Sequence, residues 1–454
     1  MKKQIEVGYT YSIIIVTIIS IIITLILNIP LYFGLLIGLM TAYGVSFKKG
    51  YSQREILKMI ITGIRSALIV IIMMSLIGML ISIWMASGTL PTMIFYGFKY
   101  LSNTNILLAA FITSSVVSMV LGTALGAVST IGTLFLSLAM GLNLPMAPLV
   151  GAVVSGSYLG DRTSPMSSSA NLAATITETN IIDNIKHMMI TTLPSYSLTM
   201  LLYWIIGNNF INNVSSFTEI EYLKEILASN FNISFISLIP PLLILISSVV
   251  FRTSIVKSLA LGLIASISIF LLRDGASIGN IVGTAFLGYY PKHSEIAEIM
   301  SGGGFISMKN VLLVVSISTG LNGILEGTRM ISPLIDRFSS NIKNVTNLIH
   351  KTAFLCIIVC AITCSQAITT IIPGQYLKKV YDRFSVSRNT LARTISDSGI
   401  IIVPLIPWNI NAILVSSIMK VPASQYFPYA FLCYILPILT FIYPIFKYQK
   451  NKGI

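Results

Sequence analysis

At 454 residues the chain has the length of two or three soluble domains, yet 55% of it is apolar and only 10% is charged, against about 25% charged in a soluble domain. A mean hydropathy of +0.86 excludes a fold bathed in water; the solvent is lipid. The net charge of +14 does not mark a nucleic-acid-binding face, because the basic residues are scattered through loops between apolar spans, the pattern that orients a membrane chain.

A spanning helix needs about 20 apolar residues, so an all-α polytopic membrane protein is expected. Met1-Lys2-Lys3 precedes a first apolar stretch at 10–27; no small-residue cleavage site follows Leu27-Asn28-Ile29-Pro30, so it reads as a retained helix. The stretch 31–46 carries Gly34, Gly38 and Ala42 at helix-packing spacing, and 66–86 follows. Residues 105–140 break at Gly122-Thr123-Ala124-Leu125-Gly126 into halves too short to cross, which predicts a re-entrant hairpin. Further spans are expected at 146–178, 187–206, 233–251, 254–272, 309–327, 388–420 and 426–446, with a second hairpin at 352–384 broken around Thr363-Cys364-Ser365-Gln366. The total is about ten crossings plus two hairpins.

With the N-terminus inside, twenty-one of the 29 Lys and Arg fall on the cytoplasmic side and six outside, while Arg162 and Arg393 stay in or near the spans. Both termini are therefore expected in the cytoplasm. Cys356, Cys360 and Cys364 lie one helical turn apart with no His or carboxylate beside them, and read as packing residues.

The second half echoes the first about 240 residues later: Ser129-Thr130-Ile131 against Thr369-Thr370-Ile371, and Gly160-Asp161-Arg162-Thr163-Ser164-Pro165 against Asp397-Ser398-Gly399 with its prolines. This predicts one repeat over 1–206, an external linker over 207–232 and a second repeat over 233–454. Five crossings per half is an odd number, so the repeats are expected to be inverted, the plan of secondary transporters.

Ionisable residues in lipid are costly, about 2.5–3.5 kcal/mol on insertion scales, so each needs a reason. Asp161 and Arg162 stand in a segment with Ser157, Gly160, Thr163, Ser164, Pro165, Ser167, Ser168 and Asn171. Pro165 removes a backbone donor, Gly160 permits close approach, and the hydroxyls and carboxylate offer the hard oxygens that Na⁺ favours. A kinked helix with an internally neutral Asp161–Arg162 pair is the competing reading. The partner segment has Asp397, Ser398, Gly399, Pro404, Pro407 and Asn409, and two prolines three apart cannot sit inside a regular helix. Thr123, Ser365 and Gln366 at the hairpin tips are expected to add oxygens, with Na⁺ between Asp161 and Asp397. Arg162 and Glu326 are expected to act in coupling or gating, Glu326 being equally readable as a partner of Arg329. There is no Walker loop, no His-Glu-x-x-His and no Gly-x-Ser-x-Gly pattern, so neither an enzyme nor a cofactor is expected.

Gly160-Asp161-x-x-Ser164-Pro165-Met166-Ser167 with Asn171-Leu172-Ala173 resembles the signature of the NhaC-type Na⁺/H⁺ antiporters. Asp397-Ser398-Gly399 leading to Pro404-Leu405-Ile406-Pro407-Trp408-Asn409 is similar to that family's second signature. The resemblance covers essentially the whole chain and implies a bacterial cytoplasmic-membrane transporter that exchanges Na⁺ for H⁺; some relatives exchange malate for lactate with these ions. The chain departs from the family pattern at Ser168 and Ser396, where acids are common, and at Ile400 and Val403, where polar residues often stand. Na⁺/H⁺ antiport by alternating access is the function expected. Ion-coupled transport of a small carboxylate or amino acid is the alternative, a receptor or scaffold is disfavoured by the lack of a soluble domain, and a homodimer is left open.

Overall fold

A computed structural model describes residues 7–27, 29–101, 105–141, 144–211, 225–251, 253–273, 275–291, 300–328, 330, 342–363 and 365–449. Half of the 207–232 linker (212–224), Arg329 and Cys364 lie outside these residues. Among those described, regular structure is all helix apart from one isolated antiparallel bridge, Tyr289 to Gly302.

The helix Val7–Ile26 displays the solvent directly. Ile15, Ile19, Ile22 and Ile26 are 44–72% exposed along one stripe, while Thr17, Ser20 and Thr24 are buried. Hydroxyls face inward because each can bond a helix carbonyl: Thr17 donates to Ile13 O at 2.7 Å, and Ser20 to Gly34 O at 2.8 Å. In water this arrangement would be inside out; in lipid it is the stable one. Gly34 and Gly38 of the helix Tyr32–Lys48 lie against Ser20, Ile21 and Thr17, as their spacing predicts.

By length and composition, five helices among the described residues can cross a membrane alone, and two bent pairs raise the number to seven. One limb departs from the sequence reading. The outgoing limb of the second hairpin starts at Val345, and its 19 residues suffice to cross unaided. Asn344 starts it early by accepting the Asn347 N–H at 2.8 Å, a capping bond that an apolar window passes over.

The two hairpins pack on the two broken segments in the same way. In the first half, Ile106–Leu121 runs parallel to Met146–Thr163: Gly156 lies on Phe111 and Ser114, and Gly160 on Ser118 and Met119. The chain turns at Gly122, in the left-handed region at φ 67°, and comes back antiparallel, with Ala124 at Asp161 and Gly132 at Val153. In the second half the limb Val345–Thr363 runs parallel to the segment that begins at Arg388, Cys356 lying at Gly399 and Cys360 at Asn409. The limb Gln366–Arg383 returns, with Thr369 at Gly399 and Gly374 near Ile395.

The first broken segment is Met146–Thr163, an extended link through Ser164 and Ser167, and Ser168–Thr177. The second is Arg388–Ile395, a π turn Ser396–Ile400, a 3₁₀ turn Val403–Leu405, and Ile410–Met419 beyond a 47° bend. They pass each other in opposite directions. Glu178, just past the end of the first, bonds Arg388 at the start of the second, and Met419 at the end of the second reaches Gly132 beside Val153.

Glu178 is also paired with Lys378, and Arg388 with Asp382 at 2.8 Å, so an exposed ionic cluster joins three elements at one end of the molecule. The Lys378 ammonium and Arg388 guanidinium hold the Glu178 carboxyl below the usual carboxylate range. A depressed carboxyl contributes stability that is present above its unfolded value, about 4.3, and lost as pH falls through its folded value. Acidification toward pH 3 is therefore expected to lower the melting temperature of wild type more than that of Glu178→Gln. Gly160 gives a second test: a Cβ there would run into the Ser118–Met119 backbone, whereas nothing lies within 4 Å of a Cβ at Gly44. Gly160→Ala is expected to cost about 1–3 kcal/mol and lower the detergent melting temperature, whereas Gly44→Ala, inside an exposed helix stretch, should leave it equal or slightly higher.

Candidate functional site

Asp161 and Arg162 are consecutive on a helix, so their side chains diverge. Arg162 turns to the second broken segment. Its Nε donates to Asp397 Oδ1 at 2.7 Å, Nη2 bonds the same oxygen, and Nη1 and Nη2 donate to Thr192 and Thr191 at 2.5 and 3.1 Å. Asp397 Oδ2 accepts from Thr191 at 3.0 Å and Thr440 at 2.9 Å. Both charged side chains are 0% exposed. Burying two charges costs several kcal/mol per ion unless the pair is close and its remaining hydrogen-bonding capacity is met; here both conditions hold.

Asp161 turns the other way, toward the hairpin tips, and is 4% exposed. Among the described residues no cationic side chain pairs with it. Gln366 Nε2 donates to Oδ2 at 2.6 Å, Ser167 Oγ is shared between the Asp161 carbonyl at 2.5 Å and Oδ1 at 3.2 Å, and the Ala124 N–H approaches from the first hairpin. Ala124, Ser168 and Gln366 each open a helical stretch, so three helix N-termini with their positive dipole ends converge on one carboxylate. Gln366 Oε1 in turn accepts from Asn411 Nδ2 at 2.9 Å.

The remaining sequence-predicted residues divide between this centre and the repair of the breaks. Ser167 caps the helix that follows, accepting from Ser169 and Ala170 N–H at 3.1 and 3.2 Å. Asn171 Nδ2 donates to Pro165 O at 2.8 Å and Ser167 O at 2.7 Å, holding the link closed around Pro165. Ser164 donates to Met119 O at 2.6 Å, and Thr163 turns back to Leu159 O at 2.7 Å. The Ser157 carbonyl accepts from Ser118, while the hydroxyls of Ser157 and Ser398 are buried without a partner among the described residues. Ser168 is exposed, beside exposed Pro165 and Met166. Thr123 sits extended at the tip before Ala124, and Ser365 accepts the Ile368 N–H at 3.5 Å. Asn409 Oδ1 accepts the Asn411 N–H at 3.1 Å, Gly399 lies on Thr369, and the Pro404 carbonyl accepts the Tyr426 hydroxyl at 2.6 Å. Pro407 lines a separate cavity of about 570 Å³ that also holds Lys420.

Two expectations meet different geometry. A cation shared by Asp161 and Asp397 would require Arg162 to release Asp397, whose two oxygens already accept four bonds. Glu326 stands apart: it is exposed and lines a cavity of about 460 Å³ with Glu55, Lys58 and Asn322. Thr191, Thr192, Thr440 and Asn411 were not singled out in the sequence. Asn411, two residues beyond Asn409, carried a signal as a polar amide in an apolar span; the threonines carried none.

Removing one member of the buried pair leaves the other charge alone. Arg162→Leu and Asp397→Leu are each expected to cost about 3–5 kcal/mol. The double variant should melt above either single one, and thermal unfolding in detergent measures this.

Residues 156–448, which contain both signatures and the second hairpin, match the Na⁺/H⁺ antiporter family. The chain is 31% identical over 401 residues to the Na⁺/H⁺ antiporter NhaC of Bacillus subtilis (strain 168), covering 87% of each. It is 28% identical to the Na⁺/H⁺ antiporter NhaC of Alkalihalophilus pseudofirmus, over 98% of this chain and 96% of that one. With the malate-2H⁺/Na⁺-lactate antiporter of Bacillus subtilis (strain 168) the identity is 26%, over 92% and 91%. The broken, acid-bearing segments thus lie inside a match that extends over most of the sequence, and the chain belongs to the Na⁺/H⁺ antiporter family.

Proposed function

We propose that the protein exchanges Na⁺ for H⁺ across a bacterial cytoplasmic membrane, with Asp161 as the shared ligand. The observation that carries this is the contrast between two buried acids. Asp397 is neutralised by Arg162, while Asp161 has hydrogen-bond donors but no ionic partner among the described residues. A carboxylate can hold Na⁺ when ionised or H⁺ when neutral, and that competition couples the two ions. Oxygen to extend a Na⁺ shell is at hand in the Ser167 hydroxyl.

Alternating access needs two routes to one site. Ten crossings in two inverted repeats, 1–206 and 233–454, with both termini in the cytoplasm, would provide them. Support comes from the matched packing of the hairpins and the opposite run of the broken segments. In this reading the Glu178–Lys378–Arg388–Asp382 cluster marks the cytoplasmic mouth, in keeping with the crowding of basic residues there.

A second reading is ion-coupled movement of a small organic carboxylate. Three helix N-termini at one point suit an anionic group, and one relative is a malate-2H⁺/Na⁺-lactate antiporter. Purified protein in liposomes loaded with a pH dye separates the readings. Na⁺ pulses are expected to drive proton movement in wild type and to give only the empty-liposome signal in Asp161→Asn. An undiminished signal in that variant defeats the assignment, and saturable Na⁺-dependent uptake of labelled malate, lactate or an amino acid, without exchange of Na⁺ for H⁺ alone, would favour the second.

A further inference from the structure

Resting on the assignment of Asp161 as the ion ligand, we propose that Asn411 and Gln366 form a paired-amide switch, with Asn411 the positioning residue that sets which atom Gln366 turns toward Asp161. Gln366 Nε2 donates to Asp161 Oδ2 at 2.6 Å, and its Oε1 accepts from Asn411 Nδ2 at 2.9 Å. An N–H group is a satisfactory partner for a carboxylate and an unsuitable neighbour for Na⁺, which as a hard cation takes oxygen. For Gln366 to contribute to a Na⁺ shell, its amide must invert.

The geometry makes inversion feasible without loss of hydrogen bonding between the two amides. A primary amide has nearly the same shape with oxygen and nitrogen exchanged, and its terminal torsion is broad. Once both amides turn over, Gln366 Nε2 donates to Asn411 Oδ1, and Gln366 Oε1 faces Asp161. The backbones on either side stay fixed. Ser365 caps the Gln366 helix, and Asn409 Oδ1 holds the Asn411 N–H at 3.1 Å while its own Nδ2 reaches Cys360 Sγ at 3.5 Å. Gln366 and Asn411 are only partly buried, which leaves room for the turn. The three residues also come from three elements: the first broken segment, the second hairpin and the second broken segment. The competing role for Asn411 is that of a helix-start scaffold, which would alter folding or maximal rate but not Na⁺ affinity through Gln366.

The test is a double-mutant cycle on the full-length protein, reading Na⁺ half-saturation from equilibrium ²²Na⁺ binding and from exchange in proteoliposomes. Asn411→Asp can only accept, so it pins Gln366 with its oxygen toward Asp161; half-saturation should fall roughly tenfold, the worth of one hydrogen bond. Asn411→Lys can only donate, so it holds Gln366 with its nitrogen toward Asp161; half-saturation should rise several-fold with the maximal rate less affected. Both effects should vanish in a Gln366→Leu background. If the Asp variant loses Na⁺ response through misfolding, visible by gel filtration, the Lys variant and its cycle decide alone. Effects that persist without Gln366, or a half-saturation unmoved by either Asn411 variant, overturn the switch. Asp161→Asn measured in parallel tests the underlying assignment separately: retained Na⁺ binding there defeats the ligand, whereas lost binding there with unresponsive Asn411 variants defeats the switch alone.

Discussion

The buried bond between Arg162 and Asp397 fixes how the rest of the centre is arranged. It ties the two broken segments together where neither has a continuous helix to stiffen it, and it does so with both charges withdrawn from solvent. Because Arg162 is committed to Asp397, its neighbour Asp161 is rotated away, toward the hairpin tips. One turn of helix thus sorts adjacent charges into different tasks, one closing an ion pair within the protein and the other left to hydrogen bonds.

Interrupting helices in lipid leaves backbone groups that water cannot satisfy. The chain answers with side chains. Asn171 holds the Pro165 and Ser167 carbonyls, Ser164 reaches across to Met119, and Asn409 and Ser365 receive the N–H groups at the starts of their helices. Many residues that read as ion ligands in the sequence are therefore also repairs to the backbone. The two roles are not exclusive, since a hydroxyl or amide on a terminal torsion can re-aim where a backbone ladder cannot.

This double use decides what the sequence reveals. Membrane spans follow from hydropathy, and the breaks follow from Pro165, Pro404 and Pro407, which cannot continue a helix. Asp161 and Gln366 stand out because acids and amides are rare in lipid. The partner of Arg162 is harder to foresee. Sequence adjacency points to Asp161, whereas helix geometry excludes that pair and leaves a partner 235 residues away. Thr191, Thr192 and Thr440 are invisible for another reason: a threonine in an apolar helix ordinarily bonds its own preceding turn, as Thr192 does to Met188 at 2.8 Å, so composition cannot tell a self-capped hydroxyl from one that also serves a charge. The early start at Val345 is missed because a polar first turn hides it from an apolar window.

The strengths of these contacts also bear on which parts can move. Separating Arg162 from Asp397 strands charges in a dry interior at about 3–5 kcal/mol, so a cycle that exposes Asp161 to each side in turn is better served by carrying the two broken segments as one body. The links from Asp161 to Gln366 and from Gln366 to Asn411 are hydrogen bonds made by two partly buried amides, about 0.5–1.5 kcal/mol each when neutral and about 1.5–3 to a charge. They join the second hairpin to that body. The first hairpin adds to its polar bonds, Ser164 to Met119 O and Ser118 to Ser157 O, a backbone set directly on Gly156 and Gly160 with no room for a side chain between. The second hairpin meets Asp161 through the Gln366 side chain and not through its backbone, and in the proposed exchange the occupant of Asp161 determines whether that bond is made.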